Sequence, residues 1–132
     1  MPAGAHAHAF YREVAKYRST WILGLNDQPQ VVVSPSGARI LPIWSSRARV
    51  EKVIATVPGY ARSVALGGSW ENFEENWVNF LQSENILVGV NWSGPNANGY
   101  EMPVQALVEN VRACIARLPN SAPQSDAKLP PI

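Results

Sequence analysis

The chain has one cysteine, Cys114, among 132 residues. An internal disulfide is excluded, and the composition fits a reducing compartment. Net charge is also scarce: 11 basic residues against 10 acidic ones leave a formal +1, so no global field draws in nucleic acid or an anionic membrane. No window approaches the apolar length that spans a bilayer. Residues 1–10 lack the basic start and long apolar run of a signal peptide. The expected location is the cytoplasm, with neither nucleic acid nor membrane as partner.

Motifs for chemistry are missing too. The loop from Asn91 to Tyr100 contains Gly94 and Gly99, but without dinucleotide or Walker spacing. No strand leads into a G-x-S-x-G elbow. Glu74 and Glu75 are neighbours on a helical stretch and diverge by about 100°, so they do not converge on one site. His6 and His8 stand two apart with no third ligand near in sequence, which suits an exposed terminus better than a metal. Cys114 sits near a helix end among apolar positions, where a buried small hydrophobe is the simpler reading than a reactive thiol. The sequence therefore offers no catalytic residue, no metal and no cofactor, and it reads as non-enzymatic.

What the chain does have is 46% apolar and 16% charged residues, the balance of a globular protein. Its organising stretch is Arg39 to Val57, a strand that reaches Trp44, turns at Ser45–Ser46 and enters a helix. Val50, Val53, Ile54 and Val57 form one buried stripe of that helix, and Ser45 or Ser46 caps it. Before it, the pattern predicts a helix over 5–17, a strand over 20–25, a turn at 26–29 and a strand over 30–34. Ser34-Pro35-Ser36-Gly37 has the preferences of a type I turn. Pro42 is expected at an edge, at a bulge or beyond the paired part of its strand.

After the organising stretch, Pro58–Gly59 ends the helix, and a short strand is expected over 61–66. Ser69 caps a helix whose buried face is Trp70, Phe73, Trp77, Phe80 and Leu81. Residues 86–92 read as a central strand covered on both faces, and 93–100 as a loop. A last helix begins at Pro103, with Val104, Leu107, Val108, Val111, Ile115 and Leu118 as its stripe. The charges cluster: Arg39, Arg47, Arg49, Lys52 and Arg62 come before Glu71, Glu74, Glu75 and Glu84, as on two solvated helix faces of opposite sign. The expected fold is α+β, an antiparallel meander continued by βαβ-type units into a mixed five-stranded sheet packed by about four helices. Residues 1–118 form its single domain, and 119–132 form a proline-rich tail, disordered unless a partner holds it.

Of the five tryptophans, Trp21, Trp70 and Trp77 are explained by core packing. Trp44 and Trp92 each end a strand before a polar turn. If those ends lie side by side, the two indoles flank a shallow cleft at the start of the second helix. Free amides there, with Arg47 and Arg49, could hold an anion or a partner's carboxylate. The alternative is that both tryptophans close the rim of the core while the arginines are solvated.

The run Trp21-Ile22-Leu23, the turn Leu41-Pro42-Ile43-Trp44-Ser45-Ser46, the Pro58-Gly59-Tyr60 triplet, Phe73 with Trp77, and Val88-Gly89-Val90-Asn91-Trp92 together resemble the bacterial family called domain of unknown function 2750. The similarity covers roughly Phe10 to Val111 and implies no activity. The strand–Trp–Ser–helix turn also resembles the SseB-type modules found near bacterial secretion and toxin–immunity loci. The expected function is a cytoplasmic bacterial protein-interaction module, regulatory or immunity-like. Its expected binding face is Trp44, Ser45, Ser46, Arg47, Arg49 and Trp92, since stable interfaces favour Trp and Arg anchors. The other reading is an anionic-ligand cleft at the same strand ends. An open strand edge near Pro42 or Ala61 would allow a homodimer.

Overall fold

A computed structural model describes residues 3–94 and 97–118 of the chain. The proline-rich tail, expected to be disordered, lies outside the described residues, as do Pro95 and Asn96 of the expected loop.

Helix α1 runs Ala3–Tyr17. Arg18 follows in the left-handed region at φ 58° and closes the helix with its amide on the Val14 carbonyl, 2.8 Å away. Strand β1 is Ser19–Leu25 and β2 is Gln28–Pro29. Asn26 and Asp27 join them, both at positive φ, the two-residue hairpin geometry that these side chains tolerate. Where one strand is expected over 30–34, only β3, Val32–Val33, is present. The preceding Pro29 has no amide to extend the ladder. The Gly37 amide bonds the Ser34 carbonyl at 2.9 Å, as the Ser-Pro-Ser-Gly turn predicts.

Strand β4 is Arg39–Trp44. Pro42 stands inside it, not at its edge, opposite Gly89 of the neighbouring strand. It falls where β3, paired to residues 39 and 40, hands over to β1, paired to residues 43 and 44. Helix α2, Arg47–Thr56, is capped by Ser46, whose Oγ accepts from the Arg49 amide at 3.2 Å. A 3₁₀ turn at Pro58–Tyr60 leads to β5, Val64–Ser69. This strand starts three residues later than expected and includes Gly67 and Gly68, because Gly67 lies directly under the Trp21 ring, where a Cβ would collide at 2.6 Å.

The expected acidic helix is two. Trp77, at φ −107°, separates α3 (Trp70–Asn76) from α4 (Val78–Ser83). Strand β6 is Leu87–Ser93, and β7, Asn98–Met102, occupies part of the expected loop by folding back on β6. Helix α5 is Val104–Arg117. The clustered charges pair across the fold, Glu71 with Arg18, Glu84 with Arg39 and Glu74 with Arg112. All three pairs reach solvent, so each is worth about 0–1 kcal/mol.

The long strands lie in the order β5-β1-β4-β6-β7, with β2 and β3 filling the flank of β1 and β4. Only β4 and β6 run parallel. The result is an α+β fold with a mixed sheet, as expected, but among the described residues the sheet has seven strands rather than five, β2 and β3 being two-residue additions, and there are five α-helices rather than about four. On one face α1, α3, α4 and α5 cover Leu41, Ile43, Val88 and Val90. On the other, Val50 and Val53 of α2 cover Leu23, Ile40 and Trp44. No helix among the described residues is long and apolar enough to cross a membrane.

Candidate functional site

The parallel pair ends at one edge of the molecule, β4 at Trp44 and β6 in a bulge between Val90 and Ser93. Asn91, at φ 49°, makes that bulge, since Asn adopts the left-handed conformation more readily than other side chains. The bulge turns the buried Asn91 side chain toward the Ser45 turn. The Ser45 amide donates to Asn91 Oδ1 at 3.0 Å, and Asn91 Nδ2 donates to Ser45 Oγ at 3.0 Å and to the His6 carbonyl at 3.2 Å. The Ser45 hydroxyl in turn donates to Glu13 Oε1 of α1 at 2.6 Å. Arg49 of α2 closes the chain with a two-pronged contact to Glu13, Nε at 3.0 Å and a terminal nitrogen at 2.7 Å.

This chain of polar groups ties α1, α2, β4 and β6 together. The Arg49 hydrogen bonds hold the Glu13 carboxyl below its ordinary value, against the opposing effect of burial and with help from Ser45. Glu13 raises the Arg49 pKa in return, against burial. A serine on a carboxylate suggests a nucleophile with its base. Here the carboxylate is a weakened base already engaged by a guanidinium, and Ser45 is buried, so the geometry is that of a clamp.

The structure brings Trp44 and Trp92 together, with the Trp44 indole donating to the Trp92 carbonyl at 2.8 Å. It does not leave them facing water. Trp44 is 0% and Trp92 6% exposed, so the expected open cleft walled by two indoles is corrected to a buried pair. The reason lies in two glycines: a Cβ on Gly89 would stand 2.3 Å from the Trp92 ring and one on Gly99 2.9 Å from it. The bare backbone makes a slot that takes the indole inside. Ser46 serves as the α2 cap. Arg47 points elsewhere, to Glu51 at 2.8 Å and over the Trp21 ring at 5.9 Å. Of the expected face, only Arg49 keeps a charged group beside Trp44 and Trp92. Glu13 is signalled by no motif, and Asn91 only as one member of the Val88–Trp92 run with no role attached, although a carboxylate on α1 and an asparagine ending an apolar strand are both visible in the chain.

Beside the clamp lies a depression of about 360 Å³, lined by His6, Arg49, Lys52, Asn91 and the edges of both tryptophans. His8 does not join it. It packs edge-on to Tyr11 at 5.9 Å, since helix residues two apart do not share a face. Among the described residues no three of His, Cys, Asp and Glu come together as a metal site.

A larger concavity opens on the opposite face of the sheet. It measures about 690 Å³ between α4 and the β2–β3 segment, with Leu41 as floor and Trp77, Phe80, Val31 and Val33 as walls. A second hollow of about 310 Å³ continues it past Trp77 and Pro29 to Ile22 and Leu66. Phe80 is 53% and Val33 67% exposed. The trough follows from two departures from the expected elements, the break at Trp77 and the shortening of β3. No sequence pattern announced it, because Phe80 reads as part of a buried stripe.

No curated protein matches the chain. Residues 7–111 match the model of a family described as "Protein of unknown function (DUF2750)", and the chain belongs to that family.

Proposed function

We propose that this chain is a non-catalytic protein-binding module of the bacterial cytoplasm, and that it binds through the apolar trough between α4 and the β2–β3 segment. One observation carries the reading: a concavity of about 690 Å³ is lined by Leu41, Trp77, Val31, Val33 and Phe80 and stands open to water. Apolar surface gathered in this way marks contact sites for other proteins. Trp77, which lines both this trough and the hollow that continues it, is a wide aromatic anchor, while Gln28, Arg39 and Asn76 add polar groups to its lining, the anatomy of an interface. The partner class that fits is a protein presenting an apolar ridge, and a regulatory or immunity-like role is one use of such binding.

Affinity capture from the native host tests this with Phe80→Asp and, as control, Arg47→Glu. The expected result is a specific partner held by wild type and by Arg47→Glu but lost with Phe80→Asp, whose melting temperature stays near wild type because the ring is half exposed. Equal recovery by both variants would remove the trough from the account.

A second reading concerns the depression beside Asn91. Lys52 has no ion-pair partner among the described residues, and with His6 and Arg49 it gives the hollow a basic lining at the C-terminal ends of the parallel pair, where α/β sheets tend to take ligands. A small anion is the matching class. Thermal stabilisation by phosphate, nucleotides or carboxylates that disappears in Lys52→Glu would support it, and no shift with any of them would end it.

A further inference from the structure

Strand β5 is bonded to β1 along one side only. Ser19 stands opposite Ser69, and the Trp70 amide donates to the Arg18 carbonyl at 2.9 Å. In an antiparallel ladder this marks Ser19 and Ser69 as a pair without mutual hydrogen bonds. The alternation then turns the main-chain groups of Val64, Leu66 and Gly68 toward β1, and those of Ala65, Gly67 and Ser69 outward. Nothing from Val64 to Ser69 is charged or proline, although these are the residues by which proteins usually blunt an open edge.

The two ends of this edge carry opposite charge. Arg62 precedes it and has no ion-pair partner among the described residues, while Glu71 follows in the first turn of α3, where Arg18 holds only its Oε2 and leaves Oε1 open to a second base. On the trough side of the strand Val64 is 56% and Leu66 39% exposed. Gly68, on that same side, carries no side chain, and a Cβ built there would meet the Asn72 side-chain amide nitrogen at an ordinary contact distance of 3.8 Å, without a clash.

We propose that β5 pairs with β5 of a second copy of this chain, antiparallel about a two-fold axis at Leu66, making one sheet continuous across a dimer. That axis sets Ala65 of each copy opposite the partner's Gly67, so the outward amide and carbonyl groups of both are satisfied. It brings the two Leu66 side chains together and lays each Val64 over the partner's Gly68, where there is room. Antiparallel self-pairing exchanges the ends of the strand, so Arg62 reaches the first turn of α3 that holds the partner's Glu71. A foreign strand would need an acid at one end, a base at the other and a gap opposite Val64. A second copy supplies all three at once. The pairing uses none of the residues beside α4, but Leu66 and Gly68 also line the smaller hollow that continues the trough, so the dimer is independent of a ligand held beside α4 and competes with one that reaches Leu66.

Sedimentation of the full chain tests the dimer, and engineered cysteines test the register. Wild type should sediment as a dimer and Leu66→Lys as a monomer with an unchanged circular dichroism spectrum. Arg62→Glu should raise the dimer Kd by about tenfold, two charge pairs being lost together, and adding Glu71→Gln to it should raise the Kd no further. In a Cys114→Ser background, Leu66→Cys should cross-link under mild oxidation, because Cα atoms of a pair without mutual bonds lie about 4.5 Å apart. Val64→Cys should not, since its two copies are offset by about 13 Å along the strands. A monomer at every soluble concentration, a dimer that both Leu66→Lys and Arg62→Glu leave intact, or cross-linking through Val64→Cys instead would overturn the proposal.

Discussion

Ser45 and Asn91 grip each other twice: the Ser45 amide donates to Asn91 Oδ1 at 3.0 Å, and Asn91 Nδ2 donates to Ser45 Oγ at the same distance. The carboxamide is thereby used in both senses, and its remaining donor capacity goes to the His6 carbonyl. This single side chain lets the parallel strands end together and fixes where α1 lies across them.

Replacing Asn91 therefore leaves several buried groups without partners. Asn91→Ala is expected to lose about 2–4 kcal/mol, combining unsatisfied hydrogen bonds with a non-glycine residue kept in the left-handed region. Asn91→Gly should lose about 1 kcal/mol less, because only the backbone part is relieved. Urea unfolding measures both. If Asn91→Ala falls within experimental error of wild type, Asn91 is not holding the strand ends.

Glu13 gives the clamp a pH dependence. Its folded pKa is lowered, chiefly by the Arg49 hydrogen bonds, so the unfolded chain binds the proton more readily. The stability it contributes is present above the ordinary carboxylate value of 4.5 and is lost as pH falls through the lowered folded value. Glu13→Gln should be less stable than wild type at neutral pH, with the gap shrinking below about pH 4.5. Chemical denaturation midpoints from pH 7 downward read this directly. A gap that stays constant through the acid range would show that the carboxylate charge contributes nothing.

Neighbour-dependent features were legible in the chain. The stripe Val50, Val53, Ile54 and Val57 gave α2 its face, Ser69 its role as a cap, and Ser34 to Gly37 their turn, because each depends on residues within one or two turns of backbone. The sheet order was only half legible, since β5 pairs with β1 across 40 to 50 residues of chain and nothing local marks that choice. Trp44 and Trp92 show the same limit at the site. Their meeting could be inferred from two strand ends, but their burial depends on Gly89 and Gly99, which make room from positions on two different strands. Glu13 was invisible for the same reason, being one carboxylate on a helix until the fold set it against Arg49.

Gly89 tests that account of the tryptophan. A methyl group there would overlap the Trp92 ring at 2.3 Å, and β4 and β7 hold the glycine from both sides. Gly89→Ala is expected to cost about 1–3 kcal/mol, the usual range for overpacking, and to shift tryptophan emission to the red as Trp92 is pushed toward solvent. The control is Gly4→Ala, a helical glycine with open space around it, which should be stabilising by about 0.5–1 kcal/mol. Equal effects at the two positions would mean that Trp92 does not need its slot.

Ser46 separates a structural role from a recognition role in the same turn. Its Oγ accepts from the Arg49 amide at 3.2 Å, so its contribution is to an otherwise unpaired helix donor. Ser46→Ala should cost about 1 kcal/mol, Ser46→Asp should recover most of it, and Ser46→Gly should lie between. All three should leave capture of a trough-bound partner unchanged, since the Ser46 turn and α4 lie on opposite faces of the sheet. The measurement is denaturation and capture on the same set of proteins. Binding that tracks the size or charge of residue 46 rather than the cap energy would return the recognition surface to the Trp44–Ser46 turn and take it away from Phe80.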